Sequence, residues 1–163
     1  MFWHEIVTVL KKLIIMQTIT SETISTLNDL VLINNDRVAG YEKALEELRS
    51  REDAGTKDHD LIPLFQDFIH DSRQFSNELG LKVASEGGDV AEGTMTSSKI
   101  YRAWMDIKAL FSGKDRHAIL ASCEGGEDAA QKAYKTALGE DHIDMDIKNM
   151  ISKMDNTSIP ISF

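Results

Sequence analysis

From Ile24 onward the apolar positions recur at alternating steps of three and four. The series runs Ile24, Leu27, Val31, Asn34, Val38, Tyr41, Leu45, Leu48. That spacing predicts one helical seam over roughly 25 residues, about 37 Å of helix. Thr20 or Ser21 reads as its N-cap, and Glu22 would then sit in the first turn, where the helix dipole favours an anion. The stretch RSREDAGTKDHD after the seam is polar and contains Gly55, so it reads as a turn. A second helix begins near Asp58 or Asp60, with Pro63 tolerated in its first turn and Leu61, Phe65, Phe68, Phe75 and Leu79 inward. Glu86-Gly87-Gly88 is a glycine stop. Ile100, Trp104, Ile107 and Phe111 mark a shorter helix, closed by Ser112-Gly113-Lys114-Asp115.

The next helix has a face of small residues: Ile119, Cys123, Gly126, Ala130, Ala133 and Ala137. Gly125 and Gly126 inside it cost about 2 kcal/mol relative to alanine, which close helix packing would offset and room for a ligand or metal would also explain. Gly139 ends this helix. A last one places Ile143, Ile147, Met150 and Met154 on one face, and no helical period continues into Asp155–Phe163. The pattern predicts an all-α helical bundle with antiparallel neighbours.

Met1–Ile15 also carries a helical pattern, with Trp3, Ile6, Val7, Leu10, Leu13 and Ile14 on one face. Lys11 and Lys12 interrupt the apolar run and Glu5 stands near the start, which is not the layout of a secretory signal. Three readings stand: a helix packed on the bundle, a natural start at Met16, or a membrane-surface helix, for which two lysines make a thin polar face. Membrane contact through residues 1–15 is therefore not expected. The resulting division is an amphipathic extension over 1–20, a bundle domain over 21–154 and a non-helical tail over 155–163.

Composition narrows the functional classes. Hydrophobic residues make up 42% of 163, too many for a disordered chain, and only 2 are proline. A net charge of −9 repels phosphate backbones, so a nucleic-acid partner is not expected. The single cysteine, Cys123, excludes an intramolecular disulfide and suits a cytoplasmic location. No nucleotide fingerprint or nucleophile arrangement is present, so neither catalytic residues nor cofactors are assigned.

The chemistry to test is the carboxylate di-metal site of helical bundles, which needs inward glutamates and Glu-x-x-His pairs from four helices. Asp67 and His70 have the right separation, but on a wheel of 100° steps His70 lies almost opposite its helix's apolar face. Glu42 and Glu127 each lie about 60–70° from the centre of their apolar stripes, close enough to reach inward. Glu42, Glu127, Asp67 and His70 are thus the metal-ligand candidates, and they fall short of a full set. Asn34 interrupts an apolar seam, as a register-setting buried amide does. Its replacement by leucine should raise stability on that reading. Leu32, Ile33 and Ala39 form a second patch suited to contact between subunits.

Several stretches stand out together: Leu27-Asn28-Asp29-Leu30, Ile33-Asn34-Asn35-Asp36 and Gly40-Tyr41; Arg102 to Lys108; and Cys123-Glu124, Gly126 to Ala130 and Ala133-Tyr134. They resemble a bacterial ferritin-like four-helix-bundle family of unknown function. The resemblance covers about Thr23 to Lys153. It implies an up-down bundle whose third element is a crossover helix, and it implies no activity. In that family the last helix runs several turns further, with a histidine near its end; here it is incomplete. A shortened last helix leaves apolar surface uncovered, so a homo-oligomer, a dimer or higher, is expected. The resulting expectation is a non-enzymatic, self-associating bundle, with a stress-related role suggested by family analogy; the competing reading is a di-iron-type metal-binding protein or oxidase.

Overall fold

The computed structural model describes residues 2–50, 58–95 and 116–157. Among these residues there is no strand, and four helices occur: α1 (Phe2–Arg49), α2 (Leu61–Ser85), α3 (Arg116–Leu138) and α4 (Met145–Thr157). The crossover helix expected over Ile100–Phe111, and its closing Ser112–Asp115, lie outside the described residues.

α1 is one unbroken helix of 48 residues, about 72 Å long. The expected start at Thr20 or Ser21 is corrected. Ser, Thr and Asp types cap a helix only where the chain enters from a non-helical conformation. Here the Thr18 and Thr20 hydroxyls bond back to the carbonyls of Ile14 and Met16, both at 3.0 Å, inside a continuing helix. The run from Met16 to Glu22 contains no glycine or proline to break it. The covered part of α1 begins at Thr23, and residues 2–19 stand exposed beyond the bundle.

The seam of α1 packs on α2. Leu27, Val31, Asn34, Tyr41, Leu45 and Leu48 are buried, with Ile24 and Val38 at its edge. Tyr41 stacks obliquely on Phe65 and Phe68, with ring centroids 5.4 and 5.0 Å apart. α2 ends as the glycines require. Gly87 takes φ +82°, its N–H bonds Ala84 O at 3.0 Å, and Gly88 N–H reaches back to Val83 O at 3.0 Å. This is a Schellman stop, which needs a left-handed residue at the Gly87 position. Gly88 then passes so close to α1 that a Cβ there would lie 2.6 Å from Ile24 Cγ2.

Polar side chains of α1 strap down the segment that follows. Asn28 bonds Asp89 O and the Ala91 N–H, at 2.9 and 2.8 Å. Asn35 donates to Gly93 O at 2.8 Å and accepts from Ser76 at 2.8 Å. Buried Asp36 accepts from the Met95 N–H at 3.0 Å.

At the start of α3, Arg116 grips Asp60 through two bonds of 2.9 and 2.6 Å and Asp58 at 3.1 Å. The starts of α2 and α3 are therefore at the same end of the bundle. Both run antiparallel to α1, since Arg37 meets Glu127 while Thr26 meets Glu140. Gly139 ends α3, with its N–H on Thr136 O at 3.0 Å. The turn into α4 is tied to α1: Thr26 Oγ1 lies 3.1 Å from both Glu140 Oε2 and His142 Nε2, and Thr23 Oγ1 lies 3.1 Å from His142 O.

α4 buries Ile147, Ile151 and Met154, while Ile143 is buried in the turn before it. Ile151 takes the inner place expected of Met150, which is half-buried. The tail expected to be non-helical from Asp155 is corrected over its first three residues, since α4 continues to Thr157. Of the two glycines in α3, Gly126 is buried but Gly125 faces open space, so close packing accounts for only one of them. Nothing in the structure explains Gly125.

Candidate functional site

The polar residues buried between α1 and α3 form one network. Asn34, Arg37 and Tyr41 occupy successive turns on the inner side of α1, and Glu127 and Tyr134 face them from α3. The guanidinium of Arg37 grips Glu127 with both prongs, Nε to Oε1 at 2.9 Å and Nη2 to Oε2 at 2.8 Å. Tyr41 OH donates to the same Oε1 at 2.8 Å. Asn34 Oδ1 accepts from Tyr134 OH at 2.9 Å and from Arg37 Nη1 at 3.3 Å, while its amide donates to Leu30 O at 2.8 Å. Arg37 and Glu127 are 1% and 2% exposed.

The ion pair is held with hydrogen bonds on both carboxylate oxygens, the condition under which a buried pair recovers its desolvation cost. Burial pulls the Arg37 guanidinium down more than any single neighbour raises it, but the charge and hydrogen bond of Glu127 and the two tyrosines together outweigh burial, and its pKa is raised. Burial, and then the neighbouring Glu127 charge, push Tyr41 well up. Burial likewise pushes up Tyr134 and the Cys123 thiol, the latter also facing the Glu127 charge. A thiol held neutral in this way is a core residue, not a nucleophile.

The four metal-ligand candidates do not converge, although Glu42 and His70 line one surface groove with Arg73. Glu127 is inside, committed to Arg37 and Tyr41. Glu42 is outside, where it pairs with Arg73 of α2. Asp67 and His70 are both on the exposed side of α2. Among the described residues no three His, Cys, Asp or Glu side chains cluster in a way that could hold a metal. Among the described residues the donor set of a di-metal centre does not fit here: Glu127, the one candidate that is buried, already has a cation bound to it, the guanidinium.

Asn34 is buried, as its place in the seam implies, but it is one member of a larger set. Arg37 was not among the candidate site residues. The usable signal was that Asn34, Arg37 and Tyr41, and Cys123, Glu127 and Tyr134, recur at helical steps on the inward stripes of two helices.

Two surface grooves flank the network. One, of about 710 Å³, runs along α1 and α2 between Val31, Ala39, Gly80, Ala84 and the strapped segment at Val90. The other, of about 340 Å³, lies between α1 and α3 around Ile33, Met95 and Ala133. Of the second patch expected on α1, Ala39 lines the first groove and Ile33 is buried beside the second, while Leu32 is half-buried. No described helix is long and apolar enough to cross a membrane.

The model of a family described as "Domain of unknown function (DUF2383)" matches residues 22–140. No curated protein sequence and no solved structure matches the chain.

Proposed function

The chain belongs to the DUF2383 family, and we propose that it is a non-enzymatic, self-associating bundle of ferritin-like type whose interior is closed by an ion pair instead of a metal centre. The observation that carries this reading is Glu127, whose two oxygens are both taken, by Arg37 and by Tyr41. A carboxylate with a guanidinium seated on both oxygens at 2.8–2.9 Å and a tyrosine hydroxyl on one of them has its charge balanced and most of its acceptor positions filled, which disfavours a second cation. The parallel course of α2 and α3 supports the ferritin-like topology, because parallel bundle neighbours require a long crossover between them. A stress-related setting is the one family analogy suggests.

The competing reading, a di-iron-type protein or oxidase, makes a different prediction about metal content. Protein purified without chelator is expected to carry well under one iron, manganese or zinc per chain by elemental analysis, and to show no ferroxidase turnover. Near two metals per chain, lost in Glu127→Ala, would overturn the proposal in favour of its rival.

A further inference from the structure

Residues 2–19 of α1 form an arm of about 27 Å that is exposed along its whole length. Its exposed apolar side chains include Trp3 at 81%, Leu10 at 52% and Leu13 at 56%. On a wheel of 100° steps, Phe2, Trp3, Ile6, Val7, Val9, Leu10, Leu13, Ile14 and Met16 fill one arc of about 180°. Gln17 also falls within that arc, and His4, Glu5, Thr8, Lys11, Lys12 and Thr18 share the opposite side with Ile15 and Ile19. So broad an apolar arc needs a concave seat, not a single narrow stripe.

Such a seat exists on the same side of the same helix. Val38 and Ala39, which line the α1–α2 groove, are each 36 residues from Phe2 and Trp3. At 3.6 residues per turn that is about ten turns, so arm and groove lie on one line along α1. A two-fold contact demands this arrangement: one surface of each copy must carry both the inserted element and its receptor. With the copies antiparallel and the axis near Thr23, the arm of one lies along Val31–Glu42 of the other. Small residues in that groove, Ala39, Gly80, Ala84 and Ala91, let a helix approach.

We propose that residues 2–19 are an assembly arm that seats in the α1–α2 groove of a second copy, reciprocally, to form an antiparallel dimer. The inference rests on the self-association reading and names its contact. Area and charge both favour this occupant. Half the side of a helix about 27 Å long and 10 Å wide is about 400 Å², so two arms and two grooves cover about 1,600 Å², the size of a stable interface. The arm is the basic piece of an acidic chain: Lys11, Lys12 and Glu5 leave it net positive, and removing them from the −9 total puts −10 on the rest. Arm and bundle share one helix axis, so an anionic bilayer under the arm would also meet that acidic body.

Sedimentation of the full chain at micromolar concentration should give a species of twice 18.2 kDa. Leu10→Glu in the arm and Ala84→Arg in the groove should each weaken the dimer by about a hundredfold or more, since either strands a charge in an apolar contact. Both sites are exposed, so helicity by circular dichroism should not change and a folding defect is distinguishable. Mixing Leu10→Cys protein with Asn77→Cys protein should yield a disulfide-linked pair that neither variant forms alone. A dimer untouched by Leu10→Glu overturns the arm and leaves self-association standing. Cross-linking of Leu10→Cys with itself overturns the groove in favour of arm-to-arm pairing. A monomer overturns both readings, and a monomer that sediments with phosphatidylserine vesicles unless Leu10 is replaced assigns the arm to membranes.

Discussion

Replacing Arg37 by methionine tests the interior ion pair directly. The substitution keeps an unbranched apolar chain of similar reach and removes the guanidinium. Glu127 then keeps only the Tyr41 hydroxyl, on Oε1, while Oε2 loses the 2.8 Å bond. Both partners are at most 2% exposed, so solvent screening offsets little of the loss. Removing one member of such a pair costs about 3–5 kcal/mol. For a chain of 163 residues that is a fall in melting temperature of about 6–20 °C. In urea, with m near 2 kcal/mol/M, it is a midpoint shift of about 1.5–2.5 M. Glu127→Leu should cost a similar amount, because it leaves the guanidinium without a counter-charge, facing only the neutral groups of Asn34 and the tyrosines. The double variant is the decisive measurement. It removes both charges at the cost of the Tyr41–Glu127 hydrogen bond, worth about 1–3 kcal/mol, so it should be more stable than either single variant. All four proteins must be compared at one concentration, since dimerisation adds to apparent stability by mass action. Single variants each costing under about 1 kcal/mol, or costs that simply add in the double, would refute the account.

Asn34→Leu, which the seam pattern alone expected to stabilise, should instead lower stability by about 1–3 kcal/mol in the same urea titration, because Tyr134 OH loses its buried acceptor. An increase in stability would show that this hydroxyl finds another partner. The chain should also unfold on the alkaline side: burial raises Tyr41 and Tyr134 above their usual value near 10, so the folded state keeps protons the unfolded state has lost. That contribution is intact below about pH 10 and is lost as the pH rises further, so absorbance at 295 nm for these two rings should grow only together with loss of the far-ultraviolet helical signal. Their titration in a chain that stays helical would contradict the buried assignment.

Elements with local signals were legible in the chain. Gly87 and Gly139 stop helices because a backbone turn is decided by neighbours in sequence, and the seam from Ile24 to Leu48 is a pattern within one helix. The start of α1 was misjudged at Thr20 because a hydroxyl that can cap can equally bond its own preceding turn, as Thr18 and Thr20 do. The type of residue does not say which. The interior network was legible through Asn34, Tyr41 and the inward-reaching Glu127, but not through Arg37. Arg37 and Glu127 are 90 positions apart, and nothing in local spacing joins them. Each looks, alone, like an ordinary charge near the edge of a stripe.

The small-residue face of α3 acquires its reason from the same pair. Cys123, Gly126 and Ala130 are buried beside Glu127, on the helix that meets Arg37 and Tyr41. A core at ordinary packing density cannot place an arginine and two tyrosines between two helices if the remaining positions are also large. Large polar side chains from α1 and small ones on α3 therefore require each other. Gly126 is buried on this face, next to Glu127 in a network whose hydrogen bonds are satisfied. That relation also explains why an interior built from these residues has a shape for a guanidinium. A metal centre would need the same space and the same carboxylate, with the arginine gone.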